Sequence, residues 1–115
     1  MIQEGCIVLF RFPQTDQSTG KLRPALVIRK SPGPFDDWMI CMISTQLIQQ
    51  IDGLDEIIKP GDSDFGNSGL KLPSLFRVSR LAVVDQSVFM GTIGEICSDR
   101  LSRVKIALSN WIQST

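Results

Sequence analysis

The sequence predicts a small, mainly β protein in which short strands curl into a partly open barrel and one C-terminal helix lies against an end. Three observations lead there. Short apolar, β-prone runs recur along the chain, separated by polar stretches rich in Gly, Pro, Ser and Asp. The apolar spacing becomes helical only in the last stretch. With 115 residues, 43% of them hydrophobic, the chain suits one ordinary core, so residues 1–115 are read as a single domain.

"CIVLFRF" (Cys6 to Phe12) is the first strand, and the polar stretch Pro13 to Gly20 a loop. "PALVIRK" is the second strand, with Pro24 at its first position, where it costs no ladder bond. Ser31 to Asp37 is a loop and "WMICMIST" (Trp38 to Thr45) a third strand. "DEIIK" (Asp55 to Lys59) suits a short edge strand, and Pro60 to Gly69 a long turn or loop. Pro73 to Asp85 reads as one or two strands bent near Ser79, and Ser87 to Gly94 as another. In "SDRLSRVKIALSNWIQ", Leu101, Val104, Ala107, Leu108, Trp111 and Ile112 share one helical face. Ser98 is the expected N-cap, with Asp99 favourable beside the helix N-terminus.

Composition excludes several classes of function. Twelve basic residues balance twelve acidic ones, so any site for a polyanion must be a local patch. Cys6, Cys41 and Cys97 are odd in number and lack CxxC spacing, which suits small buried hydrophobes in a reducing compartment. Asp62 and Asp64 in "GDSDFG" lack the glutamate that closes a calcium loop, so no metal and no cofactor is expected. The start "MIQEGCIVLF" has an acid where a signal peptide needs bases, and no apolar run approaches the roughly 18 residues of a membrane span. The expectation is a soluble cytoplasmic protein without membrane contact. No histidine is present, which removes Ser-His-Asp and Cys-His catalysis and the usual general base near neutral pH.

The candidate chemistry lies at strand ends. Lys21 and Arg23 in "GKLRPALVI" stand against the apolar run. Arg23 is held by the following proline and offers donors suited to phosphate; the alternative is a surface arginine that pairs with Asp16 or another acid. Ser44, Thr45 and Gln46 end the third strand with three polar side chains, which suit a phosphate oxygen or a ribose, or else serve local turn bonds. "GLKLPSLFRVSR" adds Lys71, Arg77 and Arg80, as a basic patch or a solvated strand face. Period-2 alternation places Phe76 and Val78 opposite Arg77 and Ser79.

"GCIVLFRFPQTDQSTGKLRPALVI", "MISTQ", "GLKLPSLFRVSRLAVVD" and "IGEI", in that order, resemble the PemK/MazF-like toxins of type II toxin–antitoxin systems. The resemblance runs from about Gly5 to the terminal helix. It implies an SH3-like, CcdB-like barrel, a homodimer, and sequence-selective cleavage of single-stranded RNA without a metal, leaving a 2′,3′-cyclic phosphate and a 5′-hydroxyl. It also implies a cognate antitoxin that blocks the RNA groove, with operator DNA bound only through that antitoxin. Arg23 and Thr45 match the family's central active-site pair. Lys21, Ser44, Gln46, Lys71, Arg77 and Asp16 are the expected RNA contacts.

Two positions depart from the pattern. Ser79 stands where some family members carry an acid two residues after the arginine matched by Arg77, which leaves Asp16 as a possible substitute. Cys6 stands where the family usually has Asp or Glu after the glycine, and an effect on packing is expected. The rival readings are a toxin of the same fold acting on a protein such as gyrase, and a degenerate toxin kept as an antitoxin-binding regulator. Trp111, placed on the packed helix face, speaks against the gyrase reading.

Overall fold

The computed structural model describes residues 2–11 and 21–115. Among these, β1 (Cys6–Arg11), β2 (Leu22–Lys30), β3 (Asp37–Ser44), β4 (Glu56–Ile58), β5 (Ser74–Asp85) and β6 (Thr92–Glu95) form one antiparallel sheet. Its order is β4-β5-β3-β2-β1-β6, and it curls into a half-barrel. A short helix, α1 (Phe65–Ser68), precedes β5, and α2 (Ser98–Gln113) follows β6. Among the described residues, no helix is long and apolar enough to cross a membrane.

The central strands read as unbroken apolar runs because both faces are buried. Ile7, Leu26, Cys41, Ile43, Phe76 and Val78 join Val104 and Leu108 of α2 in one core. Their strand neighbours Val8, Ala25, Val27, Trp38 and Ile40 form a second core, covered by Phe89. Cys6 is buried in the second core, so the residue that replaces the family's acid is a packing element. Burial and the nearby charge of Asp55 push the Cys41 thiol up to about 12, which keeps it neutral and inert. Cys97 is only half-buried, unlike the other two cysteines.

The expected bend near Ser79 is a register break. Cys41 faces Leu81 but Met42 faces Arg77, so Val78, Ser79 and Arg80 have no partner on β3. Three extra residues are an odd number, and the alternation therefore inverts. Phe76 and Val78 enter the first core, while Ala82 and Val84 pack on the second. The Val78 N–H, freed from the ladder, donates to the buried Asp55 carboxylate at 3.0 Å, which also accepts from the Ile51 N–H at 3.0 Å.

Five expectations need correction. β2 starts at Leu22 rather than Pro24. Its ladder with β3 begins only at Ala25, so the missing donor of Pro24 removes no rung on that side. The stretch Pro60 to Gly69 contains α1. The run from Ser87 is not strand from its start, because the Asp85 carboxylate accepts from the Ser87 N–H at 2.8 Å and closes a 3-10 turn over Gln86–Val88. Cys97, not Ser98, is the N-cap of α2, without a side-chain cap bond. Trp111 is 46% exposed, since the core beneath α2 ends at Leu108, so it carries no weight against a protein target.

Arg100, in the first turn of α2, is 5% exposed. Its guanidinium donates to Asp64 at 2.8 and 3.1 Å, Asp62 at 3.0 Å, Glu56 at 3.2 Å and the Ile57 carbonyl at 2.8 Å. All five N–H donors of an arginine are thereby used. Asp64 also accepts from the Cys97 N–H at 3.1 Å. The Arg100 hydrogen bond outweighs the cost of burial and holds the Asp64 carboxyl down at about 2. Burial opposes the charge of Arg100, but Asp64 and its neighbours raise its pKa on balance. The two aspartates of "GDSDFG" thus serve this buried arginine, and the network clamps α2 to β4 and to the segment before α1.

Candidate active site

A cleft of about 270 Å³ opens where β2 begins and β3 ends. Arg23 and Pro24 come from β2, and Ile43, Ser44 and Thr45 from the end of β3. Gly69, Leu70, Lys71 and Leu72 form the segment between α1 and β5, and Ser74 and Ile93 complete the wall. Stretches far apart in sequence, "RP", "IST" and "GLKL", meet here.

Each piece is held by backbone structure. Ala25 to Ile28 are buried and anchor β2, so Arg23, paired with Phe10 across the ladder, stands at the end of a rigid strand. Arg23 is exposed, and among the described residues its guanidinium has no hydrogen bond and no salt bridge. The turn after β3 is tied by Ser44, whose hydroxyl accepts from the Gln46 N–H at 3.0 Å, while the Leu47 N–H donates to the Thr45 carbonyl at 3.1 Å. Thr45 is left exposed between them.

The segment bearing Lys71 is fixed from both ends. The Ser68 hydroxyl donates to the Phe65 carbonyl at 2.5 Å and accepts from the Leu70 N–H at 3.1 Å. The Ser74 hydroxyl donates to the Leu72 carbonyl at 2.8 Å. Gly69, with φ of +74°, lies so close to β6 that a Cβ there would sit 2.1 Å from the Ile93 carbonyl oxygen. A Cβ on Gly94 would sit 2.2 Å from the Asn67 oxygen. Only glycines permit this contact of backbone on backbone.

The cleft therefore gathers Arg23, Ser44, Thr45 and Lys71 among the residues singled out in the sequence, and among the described residues no acidic side chain lines it. Lys21 and Gln46 are exposed beside it but not on its walls. Arg77 is half-buried and lies in a cross-sheet row with Met42 and Ala25, two residues along β2 from Arg23 and on the same face. Ser79 lines a separate groove with Leu54 and Trp111, away from the cleft. Asp16 lies outside the described residues. The apolar lining residues Leu70, Leu72 and Ile93 were not singled out in the sequence; the only signal was the pair of leucines flanking Lys71.

A guanidinium without an ion partner among the described residues, a second cation and an exposed hydroxyl lining one cleft suit the binding of a phosphate. Over residues 3–112 the sequence matches the PemK-like, MazF-like toxin family of type II toxin–antitoxin systems. The chain belongs to that family. No curated protein matches its sequence. Among solved structures, the toxin MazF-mt6 of Mycobacterium tuberculosis superposes with a TM-score of 0.68 at 15% identity, covering 96% of this chain and 98% of that one. A mycobacterial endoribonuclease in complex with its cognate antitoxin gives 0.67 at 11% identity, over 100% and 98%. The MazE–MazF structure from Deinococcus radiodurans gives 0.70 at 19% identity, over 99% and 97%. At these identities the likeness is one of fold alone: a small barrel with a C-terminal helix.

Proposed function

We propose that this PemK/MazF-like toxin, a single domain over residues 1–115, is a sequence-selective endoribonuclease that cuts single-stranded RNA. The ribose 2′-hydroxyl attacks the adjacent phosphorus and loses its proton as the P–O5′ bond breaks. The 5′-oxygen gains a proton, leaving a 2′,3′-cyclic phosphate and a 5′-hydroxyl. Negative charge builds on the phosphate oxygens, and Arg23 meets it from a fixed strand end. A preorganised donor of that kind is worth about 3–4 kcal/mol of barrier. Thr45 orients the phosphate through its hydroxyl, and Lys71 adds charge from the opposite segment. Lys21, Gln46 and Arg77 meet the strand beyond the cleft, and Ser44 acts by shaping the turn that presents Thr45. The chemistry rests on charge and position, and it requires no metal.

The observation that carries this reading is Arg23, exposed and without an ion partner among the described residues, in a cleft that also holds Thr45 and Lys71. The solved complexes of similar toxins with antitoxins support an antitoxin partner for this chain. We extend the reading to a homodimer in the cytoplasm that reaches operator DNA only through the antitoxin. The test is digestion of a long mixed-sequence single-stranded RNA by the purified protein in EDTA, with the cut ends mapped. Discrete cuts at one short motif, with cyclic phosphate ends, are expected. Absence of cutting by folded, antitoxin-free protein, or its abolition by EDTA, contradicts the proposal.

A further inference from the structure

The cleft has a second half that charge does not explain. Leu72 is 59% exposed and Ile93 36% exposed, yet both face the same cavity as Arg23 and Lys71. Neither position is an accident of a loose surface. Leu72 sits in the segment pinned by the Ser68 and Ser74 hydroxyls and by the Gly69 contact. Ile93 occupies a register break in β6, because Ile7 faces Gly94 while Val8 faces Thr92. Breaks of this kind re-aim a side chain out of the ladder. Two independent devices thus turn two large apolar side chains toward solvent beside two cations.

We infer that Leu72 and Ile93 form a nucleobase subsite that sets sequence preference next to the cleaved bond. The inference rests on the ribonuclease reading and deepens it. Two cations, with no carboxylate among the described residues of the cleft wall, select a phosphate, and the flat group that a phosphate carries in RNA is its base. Apolar side chains receive an unstacked base by covering its face. The rigid segment makes the slot selective by shape, as its backbone cannot retreat from a larger base without moving Gly69 off β6.

The test compares wild type, Leu72→Ala and Ile93→Ala on a mixed-sequence RNA, with cut sites sequenced and kcat and KM measured. Binding of an all-2′-deoxy oligonucleotide, which cannot be cut by this route, and thermal unfolding are followed in parallel. Leu72→Ala and Ile93→Ala should each relax one base position beside the cut and lower kcat/KM by roughly tenfold or more. Unfolding should not shift, because both side chains are exposed. If wild type cuts and both alanine variants keep motif and rate, the subsite is wrong while the ribonuclease reading stands. A uniform loss of rate with the motif unchanged also overturns the subsite. If folded wild type neither cuts RNA nor binds the oligonucleotide, both fall together.

Discussion

Arg100 and Arg23 are the same residue type in opposite circumstances. Arg100 is buried, with every N–H donor matched to a carboxylate or a carbonyl. Arg23 is exposed, and among the described residues no acid answers it. A paired buried arginine has its charge committed to the fold, and removing it strands carboxylates in a low-dielectric setting. An unpaired arginine on a rigid strand end contributes little to folding and keeps its charge for a ligand. The same contrast applies to acids: Asp62 and Asp64 gather around Arg100, while among the described residues none lines the cleft of Arg23.

Several changes can break or sharpen that contrast. Arg100→Ala should have the largest effect, lowering stability by about 3–5 kcal/mol, read from the urea unfolding midpoint. A loss below about 1 kcal/mol makes the network ornamental. Arg23→Ala should cut RNA cleavage by about 10²–10³-fold and move stability by no more than about 0.5 kcal/mol. Thr45→Val keeps shape and removes the hydroxyl; cleavage should fall roughly 10–100-fold, as for a lost hydrogen bond to a charged group. An unchanged rate removes Thr45 from the site.

The smallest effect is one of pH. Asp64 titrates at about 2 in the folded chain against an ordinary 3.8. Its folded pKa is depressed, so its stabilisation is complete above about pH 4 and is lost as pH falls toward 2. The amount is about 2 kcal/mol. Asp64→Asn should flatten that limb of the acid-unfolding curve, and an equally steep limb assigns the acid sensitivity elsewhere.

How far the sequence anticipates this molecule follows from range. The strands and α2 were legible because apolar runs between polar breaks and helical spacing are local. The bend near Ser79 was legible too, although its inversion of faces depends on pairing with β3. The start of β2 was missed because proline's missing donor argues for a boundary, whereas the β3 ladder begins one residue later. The turn at Gln86–Val88 was missed because an apolar run hides an Asp85 cap. In the site, "RP", "IST" and "GLKL" were each visible, but their meeting is a property of topology. The clamp on Arg100 joins residues 36 to 44 positions apart, and no local pattern announces it. Leu72 and Ile93 looked like ordinary apolar residues, since exposure toward a cleft leaves no trace in composition.

The most direct measurement is paired: RNA cleavage and urea unfolding of the same Arg23→Ala preparation beside wild type. Loss of cleavage with an unchanged unfolding midpoint is the predicted result, because the Arg23 charge serves the ligand and not the fold. Cleavage at the wild-type rate, or a loss of cleavage that tracks a loss of stability, contradicts the account.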